Sequence, residues 1–429
     1  MRDPKRDSKT EGDFSPSSRN DISMLDIKFI RDNKEKIKQA TVAKGFDDSV
    51  VDELLIIDEE RRHIIQAVEV LRAERNTLGK NDREKGKDLK IKLKKEESKL
   101  QSIDEKFKTL MLKIPNPSAP DVTIGTPDKN EIIKTVGEKT TFSFPVRDHV
   151  DLGKITDTID IERGTKVAQS GFYYMKGDGA LLELALINYA FAKLAKHGFT
   201  PVITPNIAKE KNIVGCGFQA RSDKERQIYH VEGEDLDLIA TAEISLVGMH
   251  TDEILTKLPL LYAGFSYCYR TEAGSYGKDV RGILRVHEFR KVEMVVFCMP
   301  DESDIWHDKL LAIEEEVWQE LKIPYQVVKM ATGDLGNAAS RKYDIEAWIP
   351  SQNKYREVTS TSNTTDFQAR RLNIKTKING KNEYVHTLNG TVLALSRAPI
   401  AIYENYQNAD GSITVPKVLQ SMIGKEVIT

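Results

Sequence analysis

Residues 262–297 read YAGFSYCYRTEAGSYGKDVRGILRVHEFRKVEMVVF. Leu260–Tyr269 is aromatic and aliphatic, and Ile283–Phe297 alternates, so the stretch predicts two strands joined by a loop, Thr271–Gly282, bearing Gly274, Gly277 and Gly282. Side chains on a strand alternate between faces, which sets Arg285, Phe289 and Glu293 on one side. A cation, an aromatic plate and a carboxylate on one face suit a phosphate, a purine and an amine. Arg270 and Glu272, at the edge of the first strand, add a second cation and a second acid. A hairpin can carry charge on any solvent-facing side. Here the charges lie within a largely apolar second strand, which favours a pocket.

Around this hairpin the chain reads as an α+β body. Upstream, Ala180–His197 is a helix with Leu182, Leu184, Ala185, Ile187, Ala190 and Leu194 on its apolar side, and 198–205 is a turn and short strand closed by proline. Residues 236–243 (LDLIATAE) read as a strand ending in a hydroxyl and a carboxylate. Downstream come a helix at Glu302–Leu321 and strands at Tyr325–Lys329, Tyr343–Ile349 and Arg356–Asn363. Leu388–Arg397 then leads into a helix through Tyr406. Many strands with few regular crossover helices predict a mostly antiparallel sheet flanked by helices. No GxxxxGK[ST] or strand-associated GxGxxG occurs, so neither common phosphate-binding fingerprint accounts for a nucleotide site.

The N-terminal third is of a different kind. Residues 1–23 are polar, lack a signal-peptide hydrophobic region and carry acids such as Asp3, Asp7, Glu11 and Asp13, which argues against a transit peptide; they read as a disordered tail with Met24 the first structured residue. Residues 25–40 suggest a short amphipathic helix, broken at Lys44-Gly45-Phe46. Ile57, Ile64, Leu71 and Leu78 then recur every seven residues, with Leu54 and Val68 beside them. A second series follows in Leu93, Leu100, Phe107 and Ile114, with Leu89, Ile103 and Leu110. A reversal at Leu78–Asp82 and a stop at Pro115 and Pro117 make an antiparallel coiled-coil arm of two helices, each about 45 Å long. Arg61, Arg75 and Glu96 interrupt the seam. Residues 80–113 hold 12 Lys/Arg against 7 Asp/Glu, a surface fit for an RNA backbone if the arm stands clear of its domain. Residues 116–170 form a connector rich in Pro, Gly and Thr.

Whole-chain composition adds exclusions. Lys plus Arg (64) balances Asp plus Glu (66), so net charge alone proposes no nucleic acid. Cys216, Cys268 and Cys298 show no disulfide or zinc spacing and fit a reducing, cytoplasmic setting. Cys268 and Cys298 read as buried apolar residues in strands. No apolar run approaches the roughly 20 residues of a membrane span.

From Met24 onward the sequence resembles the bacterial-type seryl-tRNA synthetases, a family of class II aminoacyl-tRNA synthetases. Gly198–Pro205 after its long helix looks like class motif 1. Tyr269-Arg-Thr-Glu272 with Arg285-Val-His-Glu-Phe-Arg-Lys-Val-Glu293 looks like motif 2, and Asn389–Gln407 looks like motif 3. Thr241-Ala-Glu243, Arg356-Glu-Val-Thr-Ser360 and the arm strengthen the match. Beyond the disordered tail (1–23), the resemblance implies a tRNA-binding domain (24–117), a catalytic domain including the connector (118–429), and a homodimer in the cytoplasm. It also implies activation of L-serine by ATP with Mg2+, and transfer of the seryl group to tRNA(Ser), with tRNA(Sec) open as a second acceptor.

Roles carried over by position are expectations of the same kind. Arg270 bridges the serine carboxylate and the α-phosphate, a guanidinium offering a fixed fork of donors. Phe289 stacks on adenine with Arg397 over the other face or at the γ-phosphate. Arg285 reaches the terminal phosphate, Glu272 the adenine amine, and the Val286 backbone the adenine edge. Thr271, Val358 and Thr359 complete the ATP contacts. Glu357 with Ser360 holds Mg2+, a hard cation that prefers oxygen. Thr241, Ala242, Glu243, Arg270, Glu293, Asn389 and Thr391 bind serine. Three positions depart from the family habit: Thr391 replaces the commoner serine, Ser396 the commoner glycine and Glu288 the commoner glutamine. Without the resemblance, Phe289 reads as core and Arg285 and Arg397 as surface ion-pair residues. His287 reads as structural and Lys291 stays open. Rival functions are an RNA-binding paralogue without activity, a ligase charging a carrier protein, and a class II enzyme for another amino acid. The retained charges disfavour the first and the arm disfavours the second; Thr241, Glu243 and Glu293 discriminate the third.

Overall fold

A computed structural model describes residues 26–79, 82–218, 227–273 and 281–429. The expected tail, Met24, the centre of the arm reversal (Lys80, Asn81) and residues 274–280 of the hairpin loop lie outside the described residues.

The described residues of the N-terminal segment form helices joined by short breaks. The short helix expected over 25–40 is two, α1 (Ile27–Asp32) and α2 (Lys34–Ala43), separated at Asn33, which caps α1 and begins α2. The chain breaks at Lys44-Gly45-Phe46 as the sequence suggests. Two long helices follow, α3 (Ser49–Asn76) and α4 (Arg83–Lys113), packed against each other along the heptad seam. Leu54, Val68, Leu89, Leu93, Ile103 and Leu110 are buried there, each such side chain contributing about 1.5–3 kcal/mol. The interruptions are accommodated. Arg61 lies over the Phe107 ring at 4.9 Å and pairs with Asp104, Glu96 pairs with Lys99 at 2.7 Å, and Arg75 is exposed. At the root, Ile30, Ile37, Val51, Leu54, Leu110 and Ile114 form a small core.

The arm is tied to the body by directional bonds. Lys44, fully buried, donates from Nζ to the carbonyls of Gly336 (3.1 Å) and Ala339 (2.6 Å). Asn116 donates to Ala338 O and Thr364 O, and Arg371 to Leu112 O.

The body is built on an eight-stranded sheet. In chain order its strands are β1 (Glu131–Val136), β2 (Thr200–Ile203), β3 (Leu260–Tyr269), β4 (Glu288–Cys298), β5 (Tyr325–Lys329), β6 (Arg341–Ile349), β7 (Lys354–Asn363) and β8 (His386–Ala394). They lie in the order β1-β5-β6-β7-β8-β4-β3-β2, antiparallel except for β2 beside β3. Even-numbered residues of β4, Val292 to Cys298, enter the main core with Leu182 and Leu186 of the helix Gly177–Lys196, and with Leu310 and Val317 of the helix Ser303–Glu320. Odd-numbered Val295 and Phe297 enter a second apolar cluster with Ile244 and Leu372. The strand is buried on both faces, so its buried charges need partners: Arg290 pairs with Glu183 at 3.0 Å, and Lys291 with Glu293 at a cavity wall.

Four expectations are corrected. The second hairpin strand begins at Glu288, not Ile283, because the ladder ends where Arg270 N–H donates to His287 O at 2.9 Å. Residues 236–243 are not one strand: only Asp237–Leu238 are extended. Thr241 then caps a helix, Ala242–Gly248, its hydroxyl accepting the Glu243 N–H, so Glu243 sits in a first helical turn. The connector is part of the sheet, since β1 pairs with β5 at the edge. On the helix Gly177–Lys196, Leu184 is exposed and Ile187 half-buried, while Leu186 and Tyr189 complete the buried face at helical spacing.

Candidate active site

The hairpin β3–β4 brings Arg270, Phe289 and Glu293 together with residues of β7 and β8 around one cavity of about 540 Å³. Phe289, Lys291 and Glu293 alternate onto it from β4. Arg285, which precedes the strand, reaches the cavity from an irregular segment, so the expected face is right although the element is not.

Two β-bulges shape the rest. The pairing of β6 with β7 skips Val358: Ile345 pairs with Thr359 and Glu346 with Glu357. An uninterrupted strand would send Glu357 and Ser360 to opposite faces; the extra residue lets both reach the cavity. The pairing of β8 with β4 skips Val392 in the same way, and Thr391 and Ala394 share the wall although they are three positions apart.

Two of the three arginines in the cavity wall are paired with a carboxylate. Arg285 Nη1 lies 2.5 Å from Glu272 Oε2, and Glu272 holds a positive φ of 53°, uncommon for a non-glycine residue. Arg397 Nη1 lies 3.1 Å from both Glu357 Oε2 and the Glu357 carbonyl. Burial alone would push the Glu357 carboxyl up, but the charges of Arg397 and Lys342 hold it at about 2. Arg270 places its guanidinium 5.3 Å above the Phe289 ring. At the closed end, fully buried Glu293 accepts from Asn389 Nδ2 (3.1 Å) and Thr391 Oγ1 (3.0 Å) and pairs with Lys291. Glu243 accepts from Gln368 Nε2 at 2.6 Å, and burial together with Glu293 raises it to about 7.

Beneath this floor lies Glu314, wholly buried beside Thr359, with neither carboxyl oxygen in a hydrogen bond of good geometry. Burial holds its pKa well above the carboxylate range. A Cβ at position 390 would stand 2.8 Å from Glu314 Oε1, which explains the glycine between Asn389 and Thr391.

Of the expected site residues, Thr241, Glu243, Arg270, Glu272, Arg285, Val286, Phe289, Glu293, Glu357, Val358, Thr359, Ser360, Asn389, Thr391 and Arg397 line the cavity. Ala242 and Thr271 do not. Ala242 is packed in the second apolar cluster, and the Thr271 N–H donates to Gln227 O at 3.0 Å. His287 is structural: its Nδ1 stands 3.0 Å from Arg270 O, and its N–H donates to Gly171 O. Sequence reasoning left Lys291 open, although it shares the parity of Phe289 and Glu293. It missed Lys342 and Gln368, for which no periodic signal exists. Cys216, Cys268 and Cys298 are buried and free.

The comparisons agree with this geometry. Residues 24–118 match the family model of the seryl-tRNA synthetase N-terminal domain, and 227–406 that of the tRNA synthetase class II core domain (G, H, P, S and T). The serine–tRNA ligase of Dictyoglomus turgidum is 46% identical over 418 residues, covering 94% of this chain and 98% of that protein. The crystal structure of seryl-tRNA synthetase from Pyrococcus horikoshii complexed with ATP superposes with a TM-score of 0.87 at 40% identity, covering 95% and 99% of the two chains. That of the cytoplasmic serine–tRNA ligase from Naegleria fowleri in complex with AMP gives 0.84 at 33% identity, with the same coverage. Arm, sheet and cavity therefore have one reading: the chain belongs to the seryl-tRNA synthetase family of class II, ATP-dependent ligases.

Proposed function

We propose that the protein joins L-serine to ATP, giving seryl-adenylate and pyrophosphate, and then transfers the seryl group to the 3′-terminal adenosine of tRNA(Ser). The observation that carries this is the convergence of Arg270, Phe289, Glu293, Glu357 and Arg397, from separate segments, on one cavity. The serine carboxylate is already a nucleophile, so the site's task is alignment and charge stabilisation. Arg270 holds the carboxylate against the α-phosphate, with adenine beside Phe289 and the terminal phosphate at Arg285. Arg397 adds positive charge, and the Glu272 and Val286 contacts orient the base.

Serine enters with its ammonium and hydroxyl towards Glu293, Thr241 and Glu243, flanked by Asn389 and Thr391. Alanine would leave buried acceptors unpaired, which rejects it strongly, whereas threonine is excluded by size. Among the described residues no three His, Cys, Asp or Glu side chains cluster as a metal site. The donor set still fits Mg2+ arriving with the nucleotide: the Glu357 carboxylate is 41% exposed to the cavity, beside Ser360. Mg2+ would there neutralise phosphate charge.

The arm is the proposed tRNA grip, with tRNA(Sec) a second acceptor to be charged alongside tRNA(Ser). A homodimer is proposed along β2 and the helix Gly177–Lys196, where Ile203 is 82% exposed and Leu184 57% exposed. No helix of the described residues is long and apolar enough to cross a membrane, and the proposed location is the cytoplasm. Serine-dependent ATP–pyrophosphate exchange with a panel of amino acids tests the reading. Exchange driven by alanine or glycine and not by serine would sink it.

A further inference from the structure

Arg285 stands in the cavity, yet the segment that delivers it lies outside the β-ladder, which begins at Glu288. Its backbone is fixed from another direction, by the short helix His149–Ile155. The Ile283 N–H donates to His149 Nε2 at 3.2 Å. Accepting there requires an unprotonated Nε2, so the ring proton resides on Nδ1, which donates to Glu404 Oε1 at 3.0 Å. Glu404 is itself fixed: Oε1 also accepts the His149 N–H and Oε2 the Ser351 N–H. Both side chains are essentially buried, at 4% and 0% exposure.

Two neighbouring contacts serve the same attachment. Gly282, at φ +90°, approaches the ring so closely that a Cβ would lie 2.0 Å from Nε2. Arg281 pairs with Asp148 at 2.6 Å and Asp151 at 2.8 Å, both at the start of the helix. Residues 281, 282 and 283 are thus all held at one helix end, and Ile283 and Leu284 then run buried to Arg285.

We propose that His149 is a positioning residue for ATP: as a neutral, Nδ1-protonated imidazole it supplies the acceptor that a partner strand would otherwise provide at Ile283, and so sets where the Arg285 guanidinium meets the nucleotide's terminal phosphate. The proposal rests on the reading of Arg285 given above. A buried histidine that only stabilised the fold would, when replaced, alter all kinetic parameters together or only the melting temperature. A positioning histidine acts on one substrate.

The test compares His149→Asn, which keeps a donor towards Glu404 but removes the acceptor for Ile283, with His149→Gln, which offers an acceptor at the Nε2 position. Arg285→Ala serves as reference, and each is assayed by serine-dependent ATP–pyrophosphate exchange. Loss of one buried hydrogen bond predicts a rise of about tenfold in the KM for ATP with His149→Asn. The serine KM should stay within about twofold, and His149→Gln should restore most of the ATP KM. If Arg285→Ala raises the ATP KM and His149→Asn does not, or if the Asn variant raises both KM values alike, the inference is overturned while the Arg285 reading stands. If Arg285→Ala leaves the ATP KM unchanged, the Arg285 reading falls and the inference with it. Should the Asn variant not fold, nitrogen NMR of histidine-labelled wild-type protein tests the premise: a protonated Nε2 on His149 overturns the proposal, and an Nδ1-protonated ring upholds the acceptor on which it rests.

Discussion

The arm and the cavity are both assembled from residues spaced along the chain, but by different rules. In the arm, one type of contact repeats between two helices adjacent in sequence, so a lost residue costs only its own share. In the cavity, segments from Thr241 to Arg397 each contribute a side chain that no other can replace, and each depends on strand register. The arm should therefore be separable from the chemistry, and the cavity should not be divisible.

The largest effect is expected at the cavity. Arg270→Ala should lower serine-dependent exchange by about 100- to 1,000-fold, the scale on which removing one preorganised charge contact acts. Retention of a tenth of the activity would mean that Arg270 is not the bridge between the two substrates. Next comes the arm. Replacing residues 62–103 by a short glycine-rich turn leaves the root core and Lys44 in place. Charging of tRNA(Ser) should fall by about 100-fold or more, with exchange within about twofold of the intact protein. Parallel loss of both would deny the separation.

A smaller effect tests the serine end. Thr391→Val removes the hydroxyl that donates to Glu293 and accepts from Lys291, and should raise the serine KM by about tenfold. Thr391→Ser keeps the hydroxyl and should stay within about threefold. A larger rise with Thr391→Ser than with Thr391→Val would show that the methyl group, not the hydroxyl, matters.

The smallest effect is on stability. Burial raises the Glu314 carboxyl well above its ordinary value of 4.5 in the fold, so above that pH the unfolded chain is the more ionised state. The folded state of the parent therefore loses ground as pH rises, and Glu314→Gln removes that dependence. The variant should melt about 2–4 °C above the parent at pH 8.5, with the gap closing near pH 5. A gap independent of pH would show that Glu314 is ionised in the fold.

How far the chain could be read follows the same division. Heptad spacing located α3 and α4 and the residues they bury, because helix packing repeats along the sequence. Alternation placed Phe289 and Glu293 on one face, and could have added Lys291. It failed for Glu357 with Ser360 and for Thr391 with Ala394, whose shared wall depends on Val358 and Val392 standing outside the ladder. Nothing local marks those bulges. The apolar residues before Glu243 suggest a strand, whereas the Thr241 hydroxyl starts a helix there. Gln368 and Lys342 are brought in by tertiary packing alone. The match to the family carried these distant residues where periodicity could not.

The bulges at Val358 and Val392 make residue count, as well as residue identity, part of what the cavity is. Deleting either valine would leave every charged side chain in the chain, yet would rotate the residues on one side of the gap by half a strand period. Glu357 would then trade faces with a neighbour, much as a reading frame shifts the meaning of unchanged letters.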